Sequence, residues 1–198
     1  TAACILEASA RQLKNFSVLC LLKQTPPALR SLIESPDFNV QGFLCPGHVA
    51  AITGADAFSF LPKDYRLPGV VSGFEPADLL YSILELVRMI AGRQPELKNE
   101  YTRLVKPSGN PAALKMIDTV FESAPAQWRG LGYIENSGYA LKDTYAPWDA
   151  WRKFSLTPPP EKPIPGCRCA QVIRGTTVPK DCPLFGKVCT PSNPVGPC

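Results

Sequence analysis

Five of the eight cysteines, Cys167, Cys169, Cys182, Cys189 and Cys198, fall within 32 residues, spaced C-x-C-x12-C-x6-C-x8-C. Thiolates are soft donors that suit zinc, copper(I) or iron–sulfur centres. Zinc ribbons usually carry paired C-x2-C knuckles, and their absence here leans the spacing towards an iron–sulfur centre. Gly166, Gly175, Gly186 and Gly196 interrupt the segment and let its backbone bend around a cluster and aim amides at the sulfurs. Arg168, Arg174, Lys180 and Lys187 lie among the cysteines, where positive charge would favour thiolates; a solvated basic face is the plainer reading of the same residues. Two disulfides and one odd thiol form the competing account. The odd count and the lack of a secretion signal at Thr1 weigh against it.

Outside that segment the lone histidine, His48, follows an expected strand in Leu44-Cys-Pro-Gly-His-Val49. Ligands of open α/β sheets gather at the carboxyl ends of strands, which makes His48 a metal-neighbour, proton-relay or substrate-contact candidate. Glu75, in Gly69-Val-Val-Ser-Gly-Phe-Glu-Pro76, occupies a second strand-to-helix turn, and its carboxylate either faces the same cleft or serves the helix amino terminus. Cys45 sits beside His48, while Cys4 and Cys20 fall in apolar patterns and read as small buried hydrophobes. No P-loop, dinucleotide glycine fingerprint, H-E-x-x-H or G-x-S-x-G occurs, which removes support from a nucleotide-using α/β enzyme and other familiar cofactor enzymes.

These residues must be held by a real core. With 198 residues, 45% hydrophobic and 19% charged, the chain can build one. Its 21 basic and 17 acidic side chains are scattered, so neither a nucleic-acid groove nor an anionic membrane surface is expected. The best apolar run, residues 79–90, is broken by Tyr81, Ser82, Glu85 and Arg88 and is too short to cross a bilayer. Helical patterns are expected over 1–14, after Thr25-Pro26-Pro27, from Pro76 to Gly92 with Leu79, Leu80, Ile83, Leu84, Val87 and Ile90 at 3–4 spacing, after Asn110-Pro111 with Leu114, Ile117, Val120 and Phe121 inward, and over 145–154. Strands are expected at Phe16–Leu22, Val40–Leu44 and Val70-Val71, with strand-and-turn structure from Trp128 to Leu141. Short, continuously apolar strands alternating with helices predict an α/β fold with a mainly parallel sheet flanked by helices. Of the 22 prolines, ten crowd between Pro158 and Pro197. The expected organisation is an α/β region over 1–156, a stiff Pro-rich linker over 157–165 and a loop-rich cysteine module over 166–198.

Taken together, Cys45-Pro-Gly-His-Val49, Val71-Ser-Gly-Phe-Glu-Pro76, Trp128-Arg-Gly-Leu-Gly132, Gly166-Cys-Arg-Cys169, Cys182-Pro-Leu-Phe-Gly186 and Cys189-Thr-Pro191 running into Pro194-Val-Gly-Pro-Cys198 resemble the HypD family of hydrogenase formation proteins. The stretches span nearly the whole sequence, and the resemblance places it in the middle and carboxyl-terminal part of the family. It implies a cytoplasmic maturation factor that helps assemble the Fe(CN)2CO group of [NiFe] hydrogenase, with HypC-like and HypE-like partners. It also implies a carboxyl-terminal [4Fe–4S] cluster. Cys167, Cys182 and Cys189 are then cluster ligands, Cys169 and Cys198 a redox-active pair beside it, and His48 and Glu75 residues near the cleft where the iron group is assembled. The family's CGGH and GPGCPVC motifs do not occur in this sequence, and Thr1 falls just after the family's GFETT stretch. A zinc-stabilised interaction module is the alternative.

Overall fold

A computed structural model describes residues 1–158 and 164–198; most of the expected 157–165 linker lies outside the described residues. In chain order the elements are α1 (Ala2–Ala10), α2 (Thr25–Ile33), β1 (Phe43–Pro46), α3 (Gly47–Thr53), α4 (Phe60–Tyr65), β2 (Gly69–Ser72) and α5 (Pro76–Ala91). They continue as β3 (Leu97–Asn99), α6 (Pro111–Val120), β4 (Phe121–Trp128), β5 (Gly132–Leu141), α7 (Ala150–Lys153) and α8 (Cys169–Arg174). The fold is mixed α/β, with a parallel three-stranded sheet flanked by helices and a cysteine-rich carboxyl-terminal region. Two compact units form, one from Val40–Thr119 and one from Thr1–Asn39 together with Val120–Cys198.

In the first unit the sheet order is β1-β2-β3, all parallel, with Cys45 opposite Val71 and Val71 opposite Asn99. Every residue of the central strand is buried, which is why it carries Val70-Val71 with no polar alternation. Around it Cys45, Phe58, Leu61 and Met89 close the core. Full burial of an aliphatic or aromatic side chain of this size contributes about 1.5–3 kcal/mol. The first strand starts later than the expected Val40–Leu44 and runs through Cys45 into Pro46, because its ladder is set by pairing with β2.

Helix α5 has the expected bounds, but its apolar stripe points the other way. Leu80 is 70% and Val87 55% exposed, whereas the buried positions are Ser82, Glu85 and Met89. An ion pair fixes this face: Glu85 accepts from Lys98 of β3 at 2.5 Å and from Arg88 at 2.7 Å. Gly92 ends the helix in ordinary right-handed geometry, and the left-handed residue is Arg93 at φ 52°.

In the second unit β4 and β5 form an antiparallel hairpin whose register shifts between Ala124 and Ala126, at Pro125, a residue that cannot donate to a ladder. Gly130 and Gly132, at φ 82° and 83°, make its turn. Helix α2 packs on β5, and Ile5, Leu32, Phe121, Leu141 and Tyr145 form the core. Phe121, expected inside a helix, opens β4 instead, because the helix ends at Val120 and the hairpin ladder claims the next residue. The expected helix over 145–154 becomes a 3-10 segment at Asp143–Trp148 containing Pro147, then α7 capped by Asp149, whose carboxylate accepts from Trp151 N–H at 2.9 Å.

Phe16–Leu22 is not a strand. Only single bridges form, Val18 with Asp149 and Lys23 with Gly138, and Leu19 and Leu21 remain exposed. Cys20 is half-buried, donating its S–H to Tyr139 O at 3.2 Å, and Cys4 is exposed on α1 instead of buried, because α1 turns Ile5 and Ala8 inward.

Candidate functional site

The cysteine module is built almost entirely from turns. The carboxyl end of α8 is closed by Gly175 at φ 78°, a left-handed cap that glycine adopts without steric cost. Further on, Phe185 N–H donates to Cys182 O at 3.0 Å, Cys189 N–H to Leu184 O at 3.0 Å and Gly186 N–H to Cys189 O at 3.0 Å. This short circuit of backbone bonds explains why a proline-rich segment with little regular structure still places its sulfurs.

Four of those sulfurs are linked by proximity. The Cys169 S–H donates to Cys198 Sγ at 2.8 Å, and the Cys198 N–H donates back to Cys169 Sγ at 3.3 Å. Burial pushes the Cys169 thiol up from its ordinary value, and the Cys198 thiol adds to the shift. For Cys167 a backbone hydrogen bond from Cys169 works in the opposite sense, but burial and the nearby Cys169 and Cys182 thiols outweigh it and raise the group. Cys182 is the exception. Backbone amides of Arg168 and Leu184 turned towards its sulfur hold the thiol below its ordinary range, helped by Phe185 and by the Arg168 charge. Cys189 stands apart, accepting from Val195 N–H at 3.4 Å.

Among the described residues no three His, Cys, Asp or Glu side chains converge as a ready-made metal-ion site. The donor type nonetheless suits a thiolate-bound iron–sulfur group: several soft sulfurs on one loop segment, with backbone amides aimed at the Cys182 sulfur. Cys167, Cys182 and Cys189 are the residues that would hold it.

The second group of expected site residues sits at the carboxyl ends of the parallel strands. His48, exposed in the first turn of α3, stacks against Phe74 with ring centroids 4.1 Å apart. Glu75 is the residue before the first turn of α5, but its carboxylate turns to Arg103, which donates to it at 2.6 Å and to Asp78 at 2.9 Å. Those bonds hold the Asp78 carboxyl down at about pKa 2, with the Arg103 hydrogen bond the largest cause. The Arg103 guanidinium also lies 4.5 Å from the centre of the Tyr101 ring. Gly47 and Gly73 leave room for that ring: a Cβ at Gly47 would stand 2.6 Å from Tyr101 Cδ1, and one at Gly73 2.9 Å from Cδ2.

Arg103, Tyr101 and Phe74 are parts of these arrangements that sequence reasoning did not single out. Arg103 and Tyr101 lie in a stretch with no helical or strand period, and the carboxylates that Arg103 binds are 25 and 28 residues away in the chain.

Comparison with known proteins identifies the class. The family model HypD, described as the hydrogenase formation hypA family, matches residues 1–198. A hydrogenase maturation factor HypD of Cupriavidus necator is 40% identical over 205 residues, covering 100% of this chain and 54% of its own. A putative hydrogenase expression/formation protein of Methanocaldococcus jannaschii is 39% identical over 198 residues, covering 100% and 55%. The HypD of Escherichia coli is 40% identical over 197 residues, covering 99% and 53%. The chain belongs to the HypD family, whose curated members here are named hydrogenase maturation or expression/formation proteins, and it spans about half the length of the relatives it matches.

Proposed function

We propose that this chain serves hydrogenase maturation by supplying a thiol module that carries an iron–sulfur cluster next to a redox-active cysteine pair. The cargo is the Fe(CN)2CO group of [NiFe] hydrogenase, assembled with HypC-like and HypE-like partners in the cytoplasm, where thiols stay reduced. The observation that carries the reading is the 2.8 Å approach of Cys169 and Cys198 within a five-cysteine segment of a HypD-family chain.

In this reading Cys167, Cys182 and Cys189 would hold a [4Fe–4S] cluster, which would supply electrons one at a time. Cys182, with its thiol already lowered by backbone amides and Arg168, is the ligand most prepared for binding. Cys169 and Cys198 form and break a disulfide by thiol exchange, keeping the maturation thiols competent. At the other group His48 and Glu75 contact the cargo, with Phe74 fixing the imidazole plane and Arg103 fixing the carboxylate.

Anaerobic reconstitution with iron and sulfide tests the cluster. Bound iron with a broad visible absorption is expected. Cys182→Ser should lower the iron several-fold, and Cys169→Ser should leave it largely intact. One equivalent of zinc with no iron would replace this reading by a zinc-stabilised interaction module; equal iron losses in the two variants would remove the division between ligands and redox pair.

A further inference from the structure

The geometry points to Gly196 as the positioning residue of the Cys169–Cys198 pair, an assignment that rests on the redox reading above. A Cβ built on Gly196 would overlap Cys169 Sγ and stand 2.9 Å from Cys167 Sγ and 3.2 Å from Cys169 Cβ. The backbone gives no other reason for glycine, because Gly196 is absent from the residues with positive φ, a set that includes Gly166, Gly175 and Gly186 of the same module. Glycine stands at 196 because two sulfurs lie against its Cα.

The turn cannot simply move away. Pro194 and Pro197 flank it and restrict its dihedrals. From outside, the Arg129 guanidinium donates to Val195 O, and Pro197 Cγ lies 3.4 Å from the Cβ position of Gly130 in the β4–β5 turn. Inside, the Val195 and Cys198 amides are committed to Cys189 and Cys169 sulfurs. A side chain at 196 is therefore accommodated by rotating Cys169 about its single χ angle, which carries its sulfur away from Cys198.

The step affected is oxidation by a low-molecular-weight disulfide such as oxidised glutathione. One thiolate of the pair attacks a glutathione sulfur and expels a first glutathione. The other thiolate attacks the resulting mixed disulfide, closing the Cys169–Cys198 bond and expelling the second. Two electrons pass to glutathione, and the two protons end on the released thiols. Closure brings the sulfurs to about 2.05 Å, so it tolerates a displaced Cys169 less well than the dithiol does.

The full chain, equilibrated without air in glutathione buffers of graded ratio, trapped by alkylation and mapped by mass spectrometry, decides the matter. Wild type should form the Cys169–Cys198 disulfide. Gly196→Ala should lower its equilibrium constant about tenfold, a shift of about 30 mV for a two-electron couple. Gly186→Ala, at φ 69° with nothing within 4 Å of its Cβ, strains the same module without touching a sulfur and should stay within twofold of wild type. A Gly196→Ala constant within twofold of wild type, or no lower than that of Gly186→Ala, overturns the assignment. Absence of the disulfide from wild type at every ratio overturns the redox reading and the assignment together. If Gly196→Ala unfolds, the melting temperature is read in a Cys169→Ala background: a loss that disappears there supports the contact, and an undiminished loss refutes it.

Discussion

The same side chain meets opposite environments at Cys45 and Cys182. Cys45 is 1% exposed on an outer strand of the parallel sheet, and burial alone pushes its thiol up to about 12, while amide dipoles and Arg168 draw Cys182 down. At pH 8 a thiol with pKa about 12 holds roughly one thiolate in ten thousand molecules, and the thiolate is the nucleophile. Native protein treated with iodoacetamide at pH 8 should therefore leave Cys45 unlabelled after the exposed Cys4 has reacted, and labelling at Cys45 should appear only as denaturant unfolds the Val40–Thr119 unit. Peptide mapping checks this; equal rates at Cys4 and Cys45 would contradict the burial. At this scale the sequence was informative about placement: the five cysteines share one turn-built segment, and His48 and Glu75 stand just past short apolar strands. Arg103 was not legible, because its meaning lies in Glu75 and Asp78, and nothing in a one-dimensional pattern brings them together.

At the level of elements, periodicity located α5 to the residue but not the direction of its face. Six apolar residues at helical spacing ordinarily mark the buried stripe. Here the inward positions are Ser82, Glu85 and Met89, and the Lys98 and Arg88 bonds to Glu85 offset the cost of turning a carboxylate towards the sheet. A long-range ion pair to a three-residue strand leaves no trace in a local pattern. Phe16–Leu22 failed for a related reason: apolar content announces a strand, but a strand exists only where a neighbour supplies a ladder, and here an isolated bridge forms at Val18 and another just past the segment at Lys23. The outward stripe makes a direct prediction. Leu80→Glu and Val87→Glu should each change stability by no more than about 0.5 kcal/mol, as surface substitutions do. Met89→Ala should cost about 2–5 kcal/mol, the range for a truncated buried side chain. Denaturant melts of the three variants distinguish the two orientations, since an inward stripe would make the glutamates the costly changes.

On the scale of the whole molecule, the two compact units differ in how the chain builds them. Val40–Thr119 is one continuous segment holding the entire parallel sheet, while the other unit needs both Thr1–Asn39 and Val120–Cys198. A continuous segment with its own sheet and core has what independent folding requires. Residues 40–119 expressed alone should thus give a cooperative melt. Its acid sensitivity should follow from contacts it keeps entirely within itself. Asp78 is depressed from its ordinary 3.8 to about 2 by Arg103, and Glu85 is depressed by Lys98 and then Arg88. A carboxyl group whose folded pKa is lowered stabilises the fold above its unfolded value, and that contribution is lost as pH falls towards the folded one. For Asp78 the loss belongs between about pH 3.8 and about pH 2. The melting temperature of the fragment should fall across that window, and Asp78→Asn should flatten the fall while lowering stability at pH 7. A fragment that melts without cooperativity would show that the sheet depends on the rest of the chain. A variant with an undiminished acid slope would show that Arg103 does not hold Asp78 in solution as it does in the fold.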